Sequence, residues 1–138
     1  MAFNGGGTNV AGVQQIEAGI LQIIEVVEEI SATGDHSFDI IPLTNTKYKL
    51  KSISGRTSTG NYSISTALST ISVNDLTTSK YTTIQRITTL TGNSFSYNLE
   101  PFSLFLSDNN RLRININTTT HTTTGNYKIT LLYNEISI

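Results

Sequence analysis

Four times along this chain a threonine–glycine pair followed by Asn or Asp interrupts a run of β-branched residues: Thr33-Gly34-Asp35, Thr59-Gly60-Asn61, Thr91-Gly92-Asn93 and Thr124-Gly125-Asn126. Glycine followed by Asn or Asp permits the positive φ values of tight hairpin turns. After each triplet comes an early aromatic, Phe38, Tyr62, Phe95 or Tyr127. Two copies nearly coincide, TSTGNYSIST at 57–66 and TTTGNYKITL at 122–131. Their separation gives no solenoid period, so the sequence reads as one turn solution used repeatedly, not as a duplicated domain.

Between the turns the residues alternate with period two, the pattern of half-buried antiparallel strands. Tyr48, Leu50 and Ser52 oppose Lys47, Lys49 and Lys51, and Leu112, Ile114 and Ile116 oppose Arg111, Arg113 and Asn115. Tyr62, Ile64, Thr66 and Leu68 share a face, as do Phe95, Tyr97 and Leu99, then Phe102, Leu104 and Leu106, and finally Tyr127, Ile129, Leu131 and Tyr133. Eight or more short strands with turns about every 8–12 residues predict an all-β fold, an antiparallel, jelly-roll-like β-sandwich over residues 20–138. Composition agrees. The chain holds 22 Thr, 17 Ile, 15 Ser and 13 Asn but no Cys or Trp, and only 14% of its residues are charged. β-Branched residues favour strands.

Residues 1–19 read as an N-terminal arm. Its glycine-rich start, through Gly5, Gly6, Gly7 and Gly12, buries too little apolar surface to order by itself and suits either a frayed end or a segment that orders against a partner. The next stretch has two readings. Val13, Ile16, Ile20, Ile23, Val27 and Ile30 alternate spacings of three and four, a heptad seam whose Ile-rich core favours trimers or tetramers, and they are the candidate oligomer or attachment residues. Against a helix stand Gly19, the density of β-branched residues, and Glu25, Glu28 and Glu29 late in the segment, where the helix dipole opposes them. A strand from about Ile20 to Ala32, with the option of a short helical turn before it, is favoured.

Little in the sequence points to catalysis. No cysteine is available for a thiolate metal site or nucleophile. A net charge of −1 gives no electrostatic case for nucleic acid, and no apolar run is long enough to span a membrane. The start carries no secretory signal pattern, which leaves Asn61-Tyr62-Ser63 and Asn117-Thr118-Thr119 as chance glycosylation sequons. His36 and His121 lack partners at ligand spacing, although one histidine per subunit on a symmetry axis is a sharper alternative. Carboxylates are scattered, and neither a paired acid–base set nor a G-x-S-x-G elbow is present. The chain is expected to be no enzyme and to need no cofactor. Lys47, Lys49 and Lys51, with Arg111 and Arg113, read as solvated or edge-protecting stripes, or as a face for an acidic partner. The run Thr118–Thr124 around His121 reads as an exposed hairpin, inert or glycan-contacting, and Tyr81 is a loose candidate for stacking on a sugar.

The segment Ile20-Leu21-Gln22-Ile23-Ile24-Glu25, followed by a turn, a second strand and then Tyr48 and Leu50, resembles the opening of small β-domains in tailed-bacteriophage structural proteins, and GNYKITLLYNEI resembles their terminal strand. The resemblance implies a non-enzymatic virion component: a homotrimeric capsid decoration, head-fibre or short tail-associated protein. Such a protein is assembled in the host cytoplasm and attached to a capsid or tail protein through its N-terminal arm. A carbohydrate-binding module for a surface glycan is the alternative.

Overall fold

The computed structural model describes residues 19–88 and 93–138. Ten strands build it: β1 Ile20–Ile30, β2 Gly34–Ile40, β3 Thr46–Thr57, β4 Asn61–Ile64, β5 Thr70–Asp75, β6 Lys80–Arg86, β7 Phe95–Asn98, β8 Phe105–Ser107, β9 Asn110–Thr123 and β10 Gly125–Ser137. A single 3-10 turn, Glu100–Phe102 with Pro101 inside it, separates β7 from β8. The strands form two antiparallel sheets packed as a sandwich. The first has the order β2-β9-β5-β6, with β4 continuing the β5 column along β9. The second has the order β1-β10-β3-β7, with β8 continuing the β7 column along β3.

The two long strands, β9 and β10, are each the spine of a sheet, and their alternation explains the core. Leu112, Ile114 and Ile116 of β9 are fully buried while Arg111, Arg113 and Asn115 face outward. Opposite them, Tyr127, Ile129, Leu131 and Tyr133 of β10 point inward. Aromatic pairs join the elements: Tyr48 stacks on Tyr133 with ring centroids 4.1 Å apart, and Phe38 meets Tyr127 edge-on at 5.9 Å. The inward series of β3 breaks after Leu50. The β3–β10 pairing shifts register between Leu132 and Tyr133, an extra residue enters at Lys51, and burial resumes at Ile53 and Gly55. Ser52 is therefore not on the Tyr48 face. Leu68 and Phe102, also assigned inward from the sequence, are more than two-fifths exposed because neither lies in a strand.

The strands that flank each of the four triplets lie in different sheets, β1 and β2, β3 and β4, β6 and β7, and β9 and β10, so the chain passes from one sheet to the other at each. The hairpin expectation fails because the strands on either side of each triplet pair with other strands, not with each other. A hairpin between consecutive strands joins β5 to β6 instead. There Asp75 Oδ1 accepts from Thr77 N at 2.8 Å, and Ser79 adopts φ 60°. The run Thr118–Thr123 is likewise no separate hairpin; it is the end of β9, paired with β4 across two register shifts.

The seam residues divide. Val13 and Ile16 lie outside the described residues. Ile20, Ile23, Val27 and Ile30 fall in β1, which is a strand, so Ile20 and Ile30 share one face and Ile23 and Val27 the other. A single heptad stripe does not exist there, because a strand repeats every two residues.

Candidate functional site

The second sheet presents an outer face whose β1 end is apolar. Leu21, Ile23 and Val27 are 58%, 63% and 46% exposed on it, and Ile20, on the opposite face at the end of the strand, is 66% exposed. Next to them on β10 lies half-buried Leu132, opposite Ile23 in the register. The face grows polar away from β1. Lys128 of β10 reaches Glu25 at 3.6 Å, and Lys47 and Lys49 of β3 stand over the exposed Phe105 ring, 4.8 and 6.0 Å from its centroid. Lys51 pairs with Glu100 at 3.4 Å. The lysine stripe does not protect an edge, since β3 lies between β10 and the β7–β8 column.

The outer face of the first sheet is a closed polar network. Arg113 forks onto Asp39 with bonds of 2.7 and 2.8 Å and donates to the Tyr81 hydroxyl at 2.6 Å. Arg111 donates twice to Asn74 Oδ1, at 3.2 and 2.7 Å, and stands 3.6 Å from Asp39. The hydrogen bonds from Arg113 hold the Asp39 carboxyl below its ordinary value against the opposing effect of burial. Asn117 and Asn115 do the same for Asp35, with bonds of 2.7 and 3.2 Å. The arginines, read from the sequence as a solvated or edge-protecting stripe or as a docking face, are engaged within their own sheet.

Where the sandwich opens on its β6 side, a groove of about 330 Å³ runs between the inner face of the β5–β6 hairpin and β8. Val73, Asp75, Thr78, Lys80, Thr82, Ile84, Leu104 and Phe105 line it. A carboxylate, an ammonium and hydroxyls beside Val73, Ile84 and Leu104 are the chemistry of a modest polar-ligand groove, with Phe105 at its rim. Sequence reading did not nominate this site, because its lining comes from separate strands that only the fold brings together.

The remaining candidates are dispersed. His36 Nε2 lies 3.0 Å from the Ala32 carbonyl oxygen, and His121 Nε2 lies 3.2 Å from Thr124 Oγ1. Among the described residues, no three His, Cys, Asp or Glu side chains converge on a metal-sized site, and no helix is long and apolar enough to cross a membrane. Asp108 accepts from the Asn45 amide at 2.9 Å, and Glu100 is paired with Lys51 instead. Two of the triplets and Asn93 of a third meet at one corner. Asn126 accepts from Ser58 N and from the Tyr62 hydroxyl, at 2.8 and 3.0 Å, and its own amide donates to Thr59 Oγ1 at 2.9 Å. Asn93, at φ 66°, donates to the Tyr62 carbonyl at 2.6 Å and accepts from the Tyr127 hydroxyl at 2.7 Å.

No protein-family model matches the chain, and no curated protein matches it. Neither comparison links it to a bacteriophage.

Proposed function

We propose that this protein is a non-enzymatic assembly component, a β-sandwich that acts by docking into a larger particle built partly of its own copies. The observation that carries this reading is the concentration of exposed Ile, Leu and Val on β1. A soluble monomer rarely leaves such a patch uncovered on a long regular strand. The setting is a virion, as a decoration, head-fibre or short tail-associated protein with residues 1–19 as the attachment arm. The support for that setting is the resemblance carried by Ile20–Glu25, Tyr48 and Leu50. The trimer read from residues 13–30 loses its helical ground, because β1 is a strand, and rests on the resemblance alone.

The test is the protein content of purified particles released by cells that carry the gene. The chain is expected in fixed proportion to the major shell or tail protein. Tagged protein lacking residues 1–19 is expected to lose at least tenfold in re-binding to stripped particles. Absence from the particles, or full re-binding without the arm, overturns the proposal.

One observation favours a second reading, a surface-glycan module. At the rim of the groove Phe105 is 48% exposed, and Asp75, Lys80, Thr78 and Thr82 are among the residues that line it. A glycan array probed with the full chain is expected to give weak hits that Phe105→Ala abolishes. An empty array at high protein concentration removes this reading. Tyr81 is a poorer platform, because its hydroxyl is already engaged by Arg113.

A further inference from the structure

Every sheet in an open sandwich ends in strands whose backbone groups face outward, and natural proteins blunt such edges. Three edges of this molecule carry those devices. β6 begins with Lys80, ends with Arg86 and pairs with β5 across a bulge between Ile71 and Ser72. The column formed by β7 and β8 is cut into strands of 4 and 3 residues by a turn containing Pro101. β2 is 7 residues long and carries Asp35 and Asp39. The fourth edge, β1, carries the carboxylates Glu25, Glu28 and Glu29 but none of the other devices. It runs 11 residues without proline, lysine or arginine, and its register with β10 is unbroken from Ile20 to Ile30. Among the described residues no strand pairs with its second side.

We infer that β1 is a self-pairing edge that joins the second sheets of two copies of this chain, antiparallel, about a two-fold axis perpendicular to the sheet and passing beside Glu25. The occupant is identified by the sequence of the strand itself. Read outward from Glu25, ILQIIEVVEEI is nearly palindromic in polarity. In the register centred there, Ile24 lies opposite Val26 of the second copy, Ile23 opposite Val27, and Ile20 opposite Ile30, while Gln22 faces Glu28 and its amide can donate to that carboxylate. A two-fold of this kind keeps inner faces together, so only registers that pair residues of equal parity are allowed. The neighbouring allowed registers set Ile23 against Glu25 or Glu29, which discards the apolar matching. The central register also pairs the full length of both strands and forms about ten backbone hydrogen bonds. Ile24 and Val26, only partly buried in one copy, become interior positions of a continuous layer. Two kinds of pair are unfavourable: Leu21 against Glu29 near each end, and Glu25 against its symmetry mate at the axis. Each Glu25 carboxylate already has Lys128 at 3.6 Å, so the axis carries two acids and two bases, not a bare repulsion.

This pairing deepens the assembly reading and rests on it in that the β1 surface is a docking surface; the particle itself is not needed for it. The experiment uses the full chain. By light scattering, the wild type is expected at two chains or an even multiple. Ile23→Lys, at an exposed site, is expected to raise the dissociation constant at least tenfold with an unchanged strand signal in circular dichroism, and Glu25→Gln to lower it roughly two- to fivefold. Because the chain has no cysteine, Glu25→Cys is expected to cross-link to itself under mild oxidation, while Glu29→Cys, which faces Leu21, is not. The inference is overturned by a single-chain mass at millimolar concentration, by a wild-type mass that Ile23→Lys leaves unchanged, or by cross-linking at position 29 and not at 25. Those results leave particle re-binding through residues 1–19 as a separate question, read on the particles.

Discussion

Side chains at the sheet-crossing corner are fixed by backbone proximity more than by their own chemistry. A Cβ at position 125 would stand 2.2 Å from the Thr59 backbone and 2.4 Å from Gly60 N, so Gly125→Ala forces two chain segments apart. An expected loss of about 2–4 kcal/mol in urea denaturation follows, from overpacking against atoms that cannot rotate away. Gly60 is required for a different reason, its φ of +90°. Tyr127 is the polar counterpart. Its buried hydroxyl donates to Asn93 O, so Tyr127→Phe is expected to cost about 1 kcal/mol and leave the core packed. Burial raises the pKa of Tyr62, Tyr127 and Tyr133, the last pushed up to about 12. These groups stay protonated longer in the folded chain than in the unfolded one. Their contribution is complete below the unfolded-state value near pH 10 and is lost as pH rises through the folded values. Base titration followed by near-ultraviolet absorbance is expected to show unfolding that starts above about pH 10, together with delayed tyrosine ionisation.

At the scale of elements, β9 ties the first sheet together through both faces. Its inner residue Ile114 is fully buried between the two sheets, and Ile114→Ala is expected to cost about 2–5 kcal/mol by the transfer and cavity terms. Its outer residue Arg113 binds β2 and β6 at once, through Asp39 and Tyr81. Asp39→Asn is expected to cost only up to about 1 kcal/mol, since the pair is partly solvated. The sign with pH is opposite to that of the tyrosines. Asp39 and Asp35 have lowered folded values, so their contribution is complete above the unfolded carboxylate value near pH 4 and is lost as pH falls through the depressed values. Urea denaturation at a series of pH values checks this assignment: stability is expected to fall below about pH 4, and Asp39→Asn to lose less over that range than the wild type.

For the molecule as a whole, what matters is how little of its pairing is local. β5 and β6 are neighbours in both chain and sheet, whereas β1 and β3 flank β10, and β2, β4 and β5 flank β9. Both spines are made last from the end of the chain, so the sheets close only when residues 110–137 arrive. Such topology folds slowly. A chain ending before β10 is expected to leave β1 and β3 unpaired and to aggregate, which expression of residues 1–123 followed by sedimentation checks. Among the described residues the other edges are short, bulged or interrupted while β1 is long, unbroken and open, which turns a general hazard into a specific docking edge.

The alternation of Leu112, Ile114 and Ile116 with Arg111, Arg113 and Asn115, and of Tyr127, Ile129, Leu131 and Tyr133 with their neighbours, determined by itself that these segments are strands and which side each buries. Period two is a property of the extended chain and is written locally. The choice of strand for the stretch from Ile20 was legible on other grounds, the β-branched density, Gly19 and the late glutamates, since alternation there is not clean. Three things were decided only by the tertiary structure. The Thr-Gly-Asn triplets became sheet crossings instead of hairpins, the inward series of β3 shifted by one at Lys51, and the lysine and arginine stripes landed on interior strands. Each depends on which distant strand lies alongside, and pairing between residues far apart in sequence leaves no local periodicity to read. The groove at Phe105 and the open side of β1 belong to the same class. A face can be inferred from a strand's own residues, but an edge exists only once its neighbours are known.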